Sequence, residues 1–413
     1  MSTTGQAHRY ITRGNADIEA AYDEYCHELL GYGPNLRNLF IAADAAPDCA
    51  LLNANAAALH LAFEGREGWN DAAPYLALMN NHLAATTEHE NIFCRAINAW
   101  AAHDFRASLE LFQQIASDWP EDLVSIKWGQ YHAFNLGDQA AMLALGERAV
   151  SACRDKPYVH GLYAFALEQN HDMRAAEREA QHAVEIAIDD AWAQHAGAHV
   201  METERRIAEG ATWLGHCAHI WDAKGTFIRE HNWWHTALFH LALGDHDKVY
   251  EIFDTQLWGE WPEFPQEQIG AASLLWRLEL HGIKAGTRWQ PVTEQALARS
   301  GDHIFPFHDL HYLFALTQAE DNLCAENHVS AMRQKAETCS EETAEAWQKA
   351  GLPAAEGILA FSRGDAEAAV HHLEKALPHL GMIGGSHAQR AIFHQTCAVA
   401  RLRVSGQIAA LGE

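Results

Sequence analysis

The stretch FCRAINAWAAHDFRASLELFQQIASDWP, Phe93–Pro120, decides the fold. Its apolar residues recur with a helical period on either side of a short break around Ala102. It therefore reads as a helix, a tight turn, a second helix and a closing proline. Pro120 ends the second helix because it has no N–H to donate and restricts the residue before it.

The plan repeats along the chain. Val124 to Pro157 carries Leu136-Gly137-Asp138 at its turn, and Tyr158 to Asp190 follows. First helices are predicted to start near Asn91, Val124, Tyr158 and Ala191. That spacing of about 33 to 34 residues is the tetratricopeptide period. Ala102, Phe105 and Pro120 fall where that repeat places a small turn residue, an aromatic and the closing proline. The period then loosens, with first helices expected near His231, Gln268 and His308. Gly244-Asp245 and Gly364-Asp365 mark further turns, and Trp258–Pro265 reads as extra loop. Before Asn91, helices are expected around Leu29–Phe40 and Cys49–Phe63. No alternating strand pattern of useful length occurs. The expected fold is all-α: a tetratricopeptide-like α-solenoid or superhelix of antiparallel helix pairs, able to close around an internal pocket. Residues 1–89 form a helical cap or degenerate repeat, and 90–413 a superhelix continuous with it.

Composition narrows the function classes. Hydrophobic residues make up 48% and charged residues 20%, which indicates an ordered, water-exposed chain. The formal charge is 29 − 55 = −26. Nucleic acid and anionic membrane both require a cationic footprint, so neither is an expected partner. The eight cysteines are dispersed without a CxxC, as in a reducing compartment. Residues 1–14 have no apolar signal-like core, so a cytoplasmic location is expected. No GxGxxG after a strand and no Walker sequence occurs, which speaks against a nucleotide cofactor.

Histidine is the anomaly: 28 residues, nearly as many as Lys and Arg together. His195, His199 and Glu202 stand at i, i+4 and i+7, on one face of a helix. His231 and His235 repeat the i, i+4 spacing on the next first helix. In tetratricopeptide superhelices the first helices line the inner surface. The two sets therefore form one expected wall, with His308, Asp309 and His311 on a later first helix. His195, His199, Glu202, His231 and His235 are a possible ligand set for a divalent metal such as Zn or Fe. The protease pattern HExxH is absent, since Ala196 follows His195. Acid–base chemistry without a metal uses the same residues. Cys217, between His216 and His219, falls on a second helix and is expected to pack.

Several segments resemble the tetratricopeptide repeat protein 38 family: DDAWAQHAGAHVMET, HNWWHTALFHLALGD, LLWRLELHGIKAGTRW, DHIFPFHDLHYLFAL and GGSHAQRAIFHQ. The resemblance spans at least residues 90 to 400 and implies a tetratricopeptide-like solenoid. It matches His195, His199 and Glu202 to a histidine-and-glutamate segment, and His231, Asn232, Trp234 and His235 to an HNxWH segment. Asp302 with His303, Asp309 with His311, and Ser386, Gln389 and Arg390 match further motifs. The sequence departs from that pattern at His308, His387, Gly270 and Gln169.

The functional expectation is a small-molecule enzyme, a hydrolase or lyase. Its catalytic set is His195, His199, Glu202, His231, His235, His308, Asp309 and His311. Trp234, Trp276, His303, Gln389 and Arg390 are expected to contact the substrate, Arg390 as a carboxylate clamp. Two other readings stand beside it: a non-catalytic scaffold binding a peptide or protein in its groove, and a metal- or ligand-binding protein. A homo-oligomer is compatible with all three.

Overall fold

The computed structural model describes residues 16–319, 321 and 323–407. Among the described residues every regular element is helical. The helices up to the middle of the chain are α1 (Ala16–Gly31), α2 (Asn38–Ala45), α3 (Ala50–Leu61), α4 (Arg66–Asn81), α5 (Glu88–Ala101), α6 (Phe105–Asp118), α7 (Leu123–Asn135), α8 (Gln139–Cys153), α9 (Val159–Gln169), α10 (Met173–Ile186), α11 (Ala191–Thr203) and α12 (Ile207–Trp221). Then come α13 (Thr226–Leu243), α14 (His246–Ile252), α15 (Pro265–Leu280), α16 (Trp289–Arg299), α17 (Pro306–Leu316), α18 (Leu323–Thr338), α19 (Glu341–Glu345), α20 (Leu352–Ser362), α21 (Ala366–Ala376) and α22 (His387–Val404). This is a tetratricopeptide-like α-solenoid of antiparallel pairs.

One turn design recurs. His103, Gly137, His171, Gly244 and Gly364 each have positive φ, and an aspartate follows each. A left-handed residue ends the first helix, because continuing the helical φ/ψ would prevent the chain from reversing. The aspartate then caps the second helix in most of these pairs. Asp104, Asp138, Asp172 and Asp365 accept from the N–H three residues on, at 3.0 to 3.1 Å. Each such cap is worth about 1 kcal/mol.

First helices begin close to the expected points, and local chemistry explains the offsets. Thr87 and Glu90 form a reciprocal capping box that starts α5 at Glu88. Pro265 and Pro306 open α15 and α17, where a missing N–H is harmless. The helix expected at Leu29–Phe40 is instead broken at Tyr32, whose φ is 52°. The loop after Trp258 is held by Glu267, which accepts from Gly259 N and Trp261 N.

The chain forms two compact units. The first holds the described residues to Phe134 and Asp138–Asn232; the second holds Asn135–Gly137 and Trp233 onward. In the first, α3 packs on α5 and α9 on α11, first helix against first helix. Phe93 meets Phe112 edge-on at 5.6 Å within the α5–α6 pair. In the second, α15 packs on α17, and Trp276 stacks on Phe314 at 4.6 Å. Gly357 lets α20 and α21 close tightly: a Cβ there would lie 2.6 Å from Leu373 Cγ.

Candidate functional site: a histidine cluster on α11 and α13

Helix α11 starts at the cap Asp190, whose Oδ1 accepts from Ala193 N at 2.9 Å. Its 3.6-residue period brings His195 and His199 one above the other, and their Nε2 atoms are 2.9 Å apart. Helix α13 is tied alongside by Asn232, whose Nδ2 donates to Ala191 O at 3.2 Å. His231 thereby places its Nε2 3.0 Å from Nε2 of His195. These groups all lie in the first unit. The boundary between units falls inside the unbroken helix α13, and His235 follows one turn beyond His231. Within the first unit, ligand-capable nitrogens of His195, His199 and His231 all lie within 4.8 Å of one another. His231 is half-buried; the other two are buried.

An aromatic collar surrounds the imidazoles. Trp192 lies 4.5 Å from His195, Phe165 lies 5.3 Å from His195 and 5.5 Å from His199, and Phe227 stacks on His231 at 5.6 Å. Behind His199 lies a carboxylate that the sequence reading did not select. Glu168, fully buried on α9, places Oε2 3.8 Å from His199 Nδ1. Gln169 Nε2 donates to the same oxygen. The available signal was an acid among the apolar residues of VHGLYAFALEQ. Glu202 is half-buried on α11 and is not one of the converging groups.

The residues expected in the second unit are bonded into its frame. His303 Nδ1 is 2.8 Å from Asp309 Oδ2. Burial works to lower the pKa of His303, but the Asp309 hydrogen bond and charge outweigh it and raise it. His311 Nδ1 donates to Phe307 O at 2.7 Å, and burial pushes its pKa down to about 3. His308 Nε2 lies 3.4 Å from Gln266 Nε2. Trp276 Nε1 donates to Thr396 at 3.0 Å, and Trp234 lies under the Arg277 guanidinium at 5.2 Å. Gln389 completes a capping box with Ser386 at the start of α22. Arg390 donates to the carbonyls of Gly384 and Gly385. Cys217 is buried on α12, and burial raises its thiol to about 11.

No family model matches the chain. Among solved structures it is similar to yeast Tom70 at 10% identity, covering 94% of this chain and 88% of that one, with a TM-score of 0.44. A human IFIT1 dimer with PPP-AAAA matches at 14% identity over 87% and 88%, TM-score 0.38. The APC/C hetero-tetramer Cut9-Hcn1 matches at 10% over 92% and 76%, TM-score 0.38. These likenesses concern the fold alone.

The expectation of a small-molecule hydrolase or lyase is corrected. Within this chain, Asp309, His303, His311 and Gln389, four of the groups assigned to catalysis or substrate, are engaged in internal hydrogen bonds. Arg390, read as a carboxylate clamp, instead secures the backbone before α22. A surface groove of about 510 Å³ lies away from the histidines, lined among others by Leu83, Thr87, Asn91, Ile92, Arg95 and Gln114.

Proposed function

We propose that the protein is a non-catalytic repeat scaffold that docks a protein or peptide partner, and that it is a member of the tetratricopeptide repeat protein 38 family. The observation that carries the reading is the array of capped helix pairs with first helix packed on first helix, a design that generates extended binding surfaces. The charge of −26 favours a partner segment rich in Lys and Arg, with an association that weakens as salt rises. The groove at Asn91, Arg95 and Gln114 is the docking point favoured within the first unit. Eight free cysteines fit the reducing cytoplasm. No helix of the described residues is long and apolar enough to cross a membrane.

The test is site-specific photo-crosslinking in cells, with the photoreactive residue at Arg95 or Gln114 and a control at Glu185 on α10. A discrete polypeptide adduct at the groove positions, absent from the control, is the expected result. Light scattering then separates a second copy of the chain from another protein. Absence of any polypeptide adduct, with the chain alone in native extracts, would sink the reading.

A further inference from the structure

We infer that His195, His199 and His231, all within the first unit, form a binding site for one divalent transition-metal ion, with Glu168 as the outer carboxylate. The inference rests on where the ring nitrogens point. An imidazole nitrogen carries either one proton or one lone pair in the ring plane, so it forms one strong directional bond. Nε2 of His195 is 2.9 Å from Nε2 of His199 and 3.0 Å from Nε2 of His231. A single proton on His195 can point along one of these contacts, not both. An ion at the common focus accepts all the lone pairs at once.

The dimensions fit. Metal–nitrogen bonds of about 2.0–2.1 Å put neighbouring ligand atoms about 2.9 to 3.4 Å apart, and opposite ones about 4.2 Å apart. The nitrogens here span 2.9 Å to at most 4.8 Å. Helix α11 contributes two imidazoles one turn apart, α13 adds His231, and Asn232 holds the two helices together. Imidazoles alone suit Zn, Cu, Ni or Fe and reject the hard ions Mg and Ca, which require oxygen.

Glu168 completes the design. Its Oε2 lies 3.8 Å from Nδ1 of His199, too far for a direct hydrogen bond but close enough for its charge to favour a proton on Nδ1 and a lone pair on Nε2. The negative charge also offsets part of the ion's charge in a site walled by Phe165, Trp192 and Phe227. A bound ion cross-links two consecutive first helices, so its predicted role is structural.

The experiment uses the full chain without a histidine tag. Zn content is measured by elemental analysis, and chelator-treated protein is titrated with Co²⁺ and followed by d–d absorption. One equivalent per chain, displacement of Co²⁺ by Zn²⁺ and no response to Mg²⁺ are expected. Glu168→Gln should weaken binding about 10- to 100-fold. The His195→Asn/His231→Asn double variant should abolish it while circular dichroism stays helical. Two results would overturn the site: no stoichiometric transition metal together with no saturable Co²⁺ spectrum in the unaltered chain, or binding undiminished in the double variant. The first needs no variant, so it stands even if the double variant does not fold.

Discussion

Oγ of Ser108 lies 3.0 Å from Nε2 of His132, with both side chains sealed from water. Trp100 meets the imidazole edge-on at 4.5 Å and Phe112 stacks on it at 5.7 Å. Burial pushes the pKa of His132 down to about 3, and His311 behaves alike in the second unit. Both remain neutral in the folded chain but gain a proton when unfolded below about pH 6.5. The unfolded state then binds more protons, so stability is complete above about pH 6.5 and falls as pH drops toward 3. Each histidine contributes a slope of up to about 1.4 kcal/mol per pH unit. Urea midpoints between pH 7.5 and 4.5 should decline, and less steeply in Ser108→Ala/His132→Leu. A flat profile in the unaltered chain would contradict this.

Lys127 offers the opposite experiment. It is buried on α7 with Nζ 3.5 Å from the centre of the Tyr32 ring, and burial lowers its pKa to about 7. Burial raises that of nearby Asp190 to about 6. Between about pH 10.5 and 7 the unfolded chain holds a proton on Lys127 that the folded chain does not, which destabilises folding as pH falls. Lys127→Met removes that cost. It should stabilise the chain by about 1–3 kcal/mol at pH 7.5, and by less at pH 9.5. Loss of stability at pH 7.5 would show that the amine is needed where it stands.

The left-handed histidines at the repeat turns, His103 and His171, should respond differently to glycine. A side chain in that conformation costs about 1–2 kcal/mol, while glycine loses about 0.5–1 kcal/mol through unfolded-chain entropy. His171→Gly, at an exposed turn with φ 63°, should therefore gain a few tenths to about 1 kcal/mol. His103→Gly should gain less, because His103 stacks on Trp69 at 4.7 Å with planes 2° apart. Thermal melts of the two variants side by side decide it.

Arg390 should matter to folding. Its guanidinium bonds the carbonyls of Gly384 and Gly385, both at positive φ, before α22. Arg390→Met should cost about 1.5–3 kcal/mol. Arg390→Lys should not restore it, since an ammonium lacks the planar fork. A melting temperature unchanged in both variants would return Arg390 to the pool of binding residues.

The repeat was readable because its determinants are local. Gly137-Asp138 and Gly364-Asp365 announce a left-handed stop followed by a cap within two residues. Helix α17 opens at Pro306, two residues before the expected His308, because proline suits the first turn of a helix. At the cluster, HxxxH on α11 and on α13 was legible, since both spacings follow from one helical period. Glu168 was not, because it approaches His199 from a different helix, and such a partnership leaves no spacing along the chain. At Arg390 the sequence is ambiguous for a chemical reason: a guanidinium serves a carboxylate and a pair of backbone carbonyls equally well, and here it bonds the carbonyls of Gly384 and Gly385.

The left-handed turn residues His103, Gly137, His171 and Arg205 stand at a constant interval of 34 positions, and the interval then widens to Gly244 and Gly282. Equal intervals make the junctions interchangeable. Excising Asp138–His171 would join Gly137 to Asp172 and recreate a Gly-Asp junction of the kind already present at Gly364-Asp365. This half of the gene can lengthen or shorten by whole modules without writing a new joint. Beyond Arg205 the spacing to Gly244 and Gly282 no longer matches 34 positions, so a module cut from one stretch does not fit the other.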